Sequence, residues 1–197
     1  MEQTTAFPLF KLPFLALKPI IKQMELIKLL QISQLYKKAR SIIKTCHKRT
    51  GHKMIVDISK YFTISITNPL FTVEVFPIEL GGRNKTFVPT PFTIEGKVYG
   101  VGHDTFFEVY SDLWARTGMN ITNELMDLFS TRLERVYFHR SAWNRHYEPD
   151  ICKWLHSFGG SIDECHIFNK NSTVACAVLE NGRFSKALFV DGVKQDN

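Results

Sequence analysis

The sequence predicts an α+β protein, and three patterns predict it. Up to about residue 44 the apolar residues recur at helical spacing; after Gly51 they alternate with polar ones, as in half-buried strands; beyond Leu113 short apolar runs and helical stripes take turns. The chain is thereby divided into a short N-terminal helical unit over 7–44, a small antiparallel sheet region over 54–112 and a repeat-like β/α segment over 113–190.

Composition supports a folded chain. Of 197 residues, 44% are hydrophobic and 13% aromatic, enough for a sizeable core. The formal charge of +6 comes largely from Lys37, Lys38, Arg40, Lys44, Lys48, Arg49 and Lys53. The oily stretch FPLFKLPFLALKPIIKQM, residues 7–24, carries Lys11 and Lys18 and lacks a small-residue cleavage pattern, so it does not read as a signal peptide. The longest clean apolar runs, Phe14 to Leu17 and Val174 to Leu179, are far shorter than the roughly 20 residues of a spanning helix. The expectation is a soluble intracellular chain with no membrane role. Cys46, Cys152, Cys165 and Cys176 are then thiols rather than disulfides, and the sequons at Asn84, Asn120 and Asn171 are incidental.

Within the helical unit, Leu17, Ile20, Ile21 and Met24 form one face at i, i+3, i+4 and i+7. Proline is tolerated in a first helical turn and breaks a helix further in, so the first helix is expected to start between Lys18 and Pro19, with Leu12-Pro13 as an extended lead. Leu26, Leu29, Leu30, Ile32 and Leu35, then Ala39, Ile42 and Ile43, mark two more helices with a break between Ser33 and Tyr36. Units below about 40 residues rarely hold a core alone, so these helices must dock on the rest of the chain or on a partner.

Residues 12–43, LPFLALKPIIKQMELIKLLQISQLYKKARSII, resemble an F-box, the motif by which F-box proteins bind the Skp adaptor of SCF-type ubiquitin ligases. Leu12-Pro13, Ile20-Ile21, Met24, Leu29-Leu30, Ile32, Lys37-Lys38 and Ile42-Ile43 stand at F-box spacing without a gap. Phe7-Pro8-Leu9 and Ile43-Lys44 look like the large nematode-type group that carries an F-box-associated domain of type 2. The resemblance implies that Leu12, Pro13, Ile20, Ile21, Met24, Leu29, Leu30 and Ile32 anchor the Skp adaptor, and through it a cullin scaffold. The bland alternative is that these residues are core against the remainder of the chain.

After Gly51, YFTISI alternates at Phe62, Ile64 and Ile66, and FTVEVF at Phe71, Val73 and Val75, with a turn at Asn68-Pro69. Leu80 to Asn84 reads as a second turn, and Pro89-Thr90-Pro91 as a break in regular structure. Lys97 to Val101 and Thr105 to Tyr110 make a further strand pair. A helix is predicted over Asn120 to Phe129, a strand over Val136 to Phe138, a helix over Pro149 to Phe158 stopped by Gly159-Gly160, and a strand over Cys165 to Phe168. Strand, helix, strand at this spacing is leucine-rich-repeat-like. Leu125, Leu128, Phe129, Arg135 to Phe138, Ile151, Trp154, Leu155 and Ser161 to Ile167 also resemble the type 2 F-box-associated domain, a region that in that family is taken to recognise the protein substrate.

Signals of chemistry are weak. Cys152 with His156, and Cys165-His166, lack the paired spacing of a structural zinc site, and the glycines at 96, 100 and 102 lack the order of a phosphate loop. The expectation is no catalysis, no metal and no cofactor. A substrate-recognition adaptor follows from the resemblance; the alternative is a small basic nucleic-acid-binding protein using Lys37 to Lys53, although no stacking aromatics beyond Tyr36 interleave that run.

Overall fold

The structure, a computed structural model, describes residues 9–24, 26–35, 37–47, 51–59, 62–67, 72–79, 90–94, 97–101, 106–111, 114–139, 148–158, 162–168, 178, 184–191 and 193–195. A 3-10 turn (Leu9–Lys11) leads into three helices, α1 (Phe14–Gln23), α2 (Leu26–Leu35) and α3 (Lys37–His47). Strands β1 (Lys53–Ile58), β2 (Phe62–Thr67), β3 (Thr72–Glu79), β4 (Thr90–Ile94), β5 (Lys97–Val101) and β6 (Phe106–Ser111) follow. Helix α4 (Trp114–Phe129), β7 (Arg132–His139), α5 (Glu148–Ser157), β8 (Ile162–Phe168), β9 (Phe184–Val190) and β10 (Val193–Gln195) complete the chain.

Among the described residues ten strands form one sheet, in the order β10-β9-β8-β7-β1-β2-β3-β6-β5-β4. β1 starts in the middle. The chain meanders outward through β2 and β3 in antiparallel steps, and β6 returns parallel to β3 with the β5–β4 hairpin outside it. Helix α4 then carries the chain back, packing on β6, β3 and β2, to β7, which lies parallel to β1. β8 and β9 add in parallel, and β10 closes that edge antiparallel. The expected small antiparallel sheet is therefore part of a larger mixed one, continuous across the 112/113 boundary. Alternation identifies strands but not their partners, and parallel pairing requires a long crossover that no local pattern reveals.

The pleat sorts the side chains. Met54, Val56 and Ile58 stand opposite Ile66, Ile64 and Phe62, and Val56 and Ile58 also oppose Val136 and Phe138, so one face of the sheet is apolar and buried. Cys165, Ile167 and Leu188 continue that face. Helices α4 and α5 cover it: Gly118 of α4 sits directly over the Phe62 ring, and the Trp154 ring of α5 lies 6.3 Å from it in an edge-on arrangement. On α4, Ile121, Leu125, Leu128 and Phe129 point inward at helical spacing. The helix ends at Ser130, which takes a left-handed φ of 49° while the Thr131 N–H donates back to the Met126 carbonyl at 3.2 Å.

Three local expectations are corrected. Helix α1 begins at Phe14, and Pro19 lies inside it. Pro13 caps the helix in an extended conformation, its carbonyl accepting from the N–H groups of Ala16 and Leu17, both at 3.0 Å. The carbonyl that Pro19 leaves without its helical donor is that of Leu15, a residue 85% exposed, so water can take the place of the missing N–H. Thr90 and Pro91, expected to break structure, belong to β4, where the edge of the sheet tolerates a residue with no N–H to donate. Strands β1, β9 and β10 were not anticipated, although Met54, Val56 and Ile58 alternate in the sequence. The turns expected at Asn68-Pro69 and Leu80 to Asn84 lie outside the described residues.

Candidate functional site

The three N-terminal helices are welded to the sheet domain through α4. On α3, Ala39, Ile43, Cys46 and His47 are buried at i, i+4, i+7 and i+8, and the next ridge, Arg40 and Lys44, faces Glu124 and Asp127 of α4. Arg40 forks across both acids, with Nη1 2.5 Å from Glu124 Oε2 and Nη2 2.6 Å from Asp127 Oδ2; Lys44 Nζ reaches Asp127 Oδ1 at 2.5 Å. Burial opposes the charged form of Asp127, yet the hydrogen bonds from Lys44 and Arg40 outweigh it and hold the carboxyl below its ordinary value. Lys53 pairs with Glu134 at 2.9 Å. Three cations of the Lys37 to Lys53 run are thus neutralised within the chain. Lys37 and Lys38 are exposed, and Lys48 and Arg49 lie outside the described residues. This depletes the cationic cluster that a polyanion would need.

The eight residues expected to anchor a partner fall into three groups. Ile21, Leu29 and Leu30 are at most 1% exposed and belong to the core that joins the helices to one another and to the domain. Spacing alone could not separate them from surface anchors, because a short helix with apolar residues on two faces gives the same pattern. Leu12, Met24 and Ile32 are half-buried at the margin of that core, whereas Pro13 and Ile20 are exposed. Two exposed residues were missed: Phe14, 42% exposed, and Leu15, 85% exposed, both on the first turn of α1. With Ile20 at 38% they are three of the four large hydrophobic side chains that stand out among the described residues, and all three are on one short helix. A leucine and a phenylalanine directly after Pro13, out of step with the Leu17–Ile21 stripe, were the available signal.

Phe14, Leu15 and Ile20 project from different sides of a short helix that is held to the core by Leu17 and Ile21. Lys11, Lys18 and Lys22 stand among them, with no acidic residue on the turn or α1. Exposed apolar side chains of this kind can serve to bind a partner.

A comparison with protein families bears on what this unit is. Residues 9–50 match the F-box domain family. No curated protein and no solved structure matches the chain. An F-box domain suggests an adaptor role in SCF-type ubiquitin ligase complexes, since F-box domains generally bind the Skp adaptor. The match ends just before Gly51, where α3 has closed and β1 is about to begin, so the F-box coincides with the three-helix unit and excludes the sheet.

Other candidate chemistry does not assemble. Cys165 and His166 are neighbours on β8 and so point to opposite faces; burial pushes the Cys165 thiol far up, which keeps it protonated and unreactive. Among the described residues no three side chains are placed to hold a metal ion, and no helix is long and apolar enough to cross a membrane.

Proposed function

We propose that the chain is the substrate-recognition adaptor of an SCF-type ubiquitin ligase. Its F-box docks on the Skp adaptor, and through it on a cullin scaffold, while the region beyond Gly51 presents a protein substrate. The observation that carries this reading is that the segment matching the F-box leaves Phe14, Leu15 and Ile20 exposed on its first helix. Leu12, Pro13, Met24 and Ile32 join them as contact residues, and Ile21, Leu29 and Leu30 act from behind by holding the helices in shape. Each large side chain buried at such an interface is worth roughly 1.5–3 kcal/mol before the cost of association.

Residues 113–190 are read as an F-box-associated domain of type 2, in a chain of the nematode-type group. The parallel β7–α5–β8 unit supports a leucine-rich-repeat-like reading of this part. On this account the chain itself performs no chemistry and works inside the cell. It raises the local concentration of substrate lysines near a charged enzyme carried by the other subunits.

The test is co-purification with a Skp adaptor, comparing the parent with a Phe14→Ser, Leu15→Ser double variant whose fold is verified by circular dichroism. Capture of the parent and its loss in the variant is the expected result. A folded parent that the adaptor does not retain would sink the proposal.

A further inference from the structure

We draw no further inference here: the strongest candidate, the aromatic face of the sheet opposite α4 and α5, where Tyr137, His166 and Phe189 pack together in register and His139 stacks on Phe168, carries no proposal because nothing in the structure shows what covers it.

Discussion

The Nδ1 of His47 lies 3.3 Å from the Nε2 of His52, with both imidazoles buried and each edge-on to the ring of Phe129 at 5.3 and 5.9 Å. His47 ends α3, His52 precedes β1, and Thr131 Oγ1 donates to the His52 carbonyl at 2.6 Å, so the pair sits where the F-box, the sheet and the end of α4 meet. Burial above all, then the neighbouring His52 and Lys22, push His47 down to about 4, against a hydrogen bond to the backbone of Ile21; burial lowers His52 as well. As pH falls through the ordinary value of 6.5, the unfolded chain takes up protons that the folded chain refuses, so stability is full above 6.5 and declines towards 4. The lowered carboxyls of Asp127 and Asp163 forfeit stability only below 3.8, and that of Glu164 below 4.5, so the interval from 6.5 to about 5 belongs to the histidines. Urea denaturation across that interval should show a falling midpoint in the parent and a flatter dependence in His47→Gln. Identical slopes would refute the assignment.

Gly118 permits the close approach of α4 to β2. A Cβ built there meets the Phe62 ring well inside van der Waals contact, and that ring is fully buried. Alanine favours a helix by about 1 kcal/mol over glycine, yet overpacking of this kind costs about 1–3 kcal/mol, so Gly118→Ala should be destabilising on balance. Phe62→Leu in the same chain should recover part of the loss; an alanine variant more stable than the parent would show that the ring can move aside.

The F-box should separate into residues that bind and residues that support. Leu30→Ala empties a buried site and should cost about 2–5 kcal/mol in chemical denaturation. Leu15→Ser, at an exposed position, should change stability by less than about 0.5 kcal/mol while weakening adaptor capture. The reverse pattern would place the contact surface elsewhere.

The fork of Arg40 on Glu124 and Asp127 predicts coupling between α3 and α4. Arg40→Glu should destabilise by about 1 kcal/mol, and adding Glu124→Arg should restore part of that, as a double-mutant cycle would register. Effects that simply add would mean the pair is solvated rather than structural.

Ser130 occupies a left-handed position at the end of α4 that glycine adopts without steric penalty. Ser130→Gly should therefore raise the thermal midpoint, by an amount equivalent to about 0.5–1 kcal/mol. A drop would indicate that the serine side chain has a role of its own.

The helices were readable because each buries a stripe whose period is local: Leu17 and Ile21, Leu29 and Leu30, and Ile43 all stand where the pattern requires. The same stripe could not say what covers it. That Leu29 and Leu30 are covered by this chain follows from α4, whose approach is set by Gly118 and by charges more than eighty residues distant from Arg40. β2 was legible from Phe62, Ile64 and Ile66, but the parallel pairing of β1 with β7 depends on a crossover of some seventy residues that leaves no local mark. The aromatic face was hidden for a related reason, since Tyr137, His166 and Phe189 are scattered in the sequence and become neighbours only through register.

That β1–β7 seam also sets an order of events during synthesis. The F-box helices leave the ribosome first, but α4, which completes their packing, and β7, which supplies the parallel partner of β1, emerge only after some eighty further residues. Until then Leu29 and Leu30 have only the neighbouring F-box helices to fold against, and the apolar side of β1 lacks its helical cover. A nascent chain arrested near residue 112 should therefore be captured by chaperones and readily digested by protease, and extension through β7 should abolish both at once. With its central contacts so far apart in sequence, the domain should fold slowly for its size.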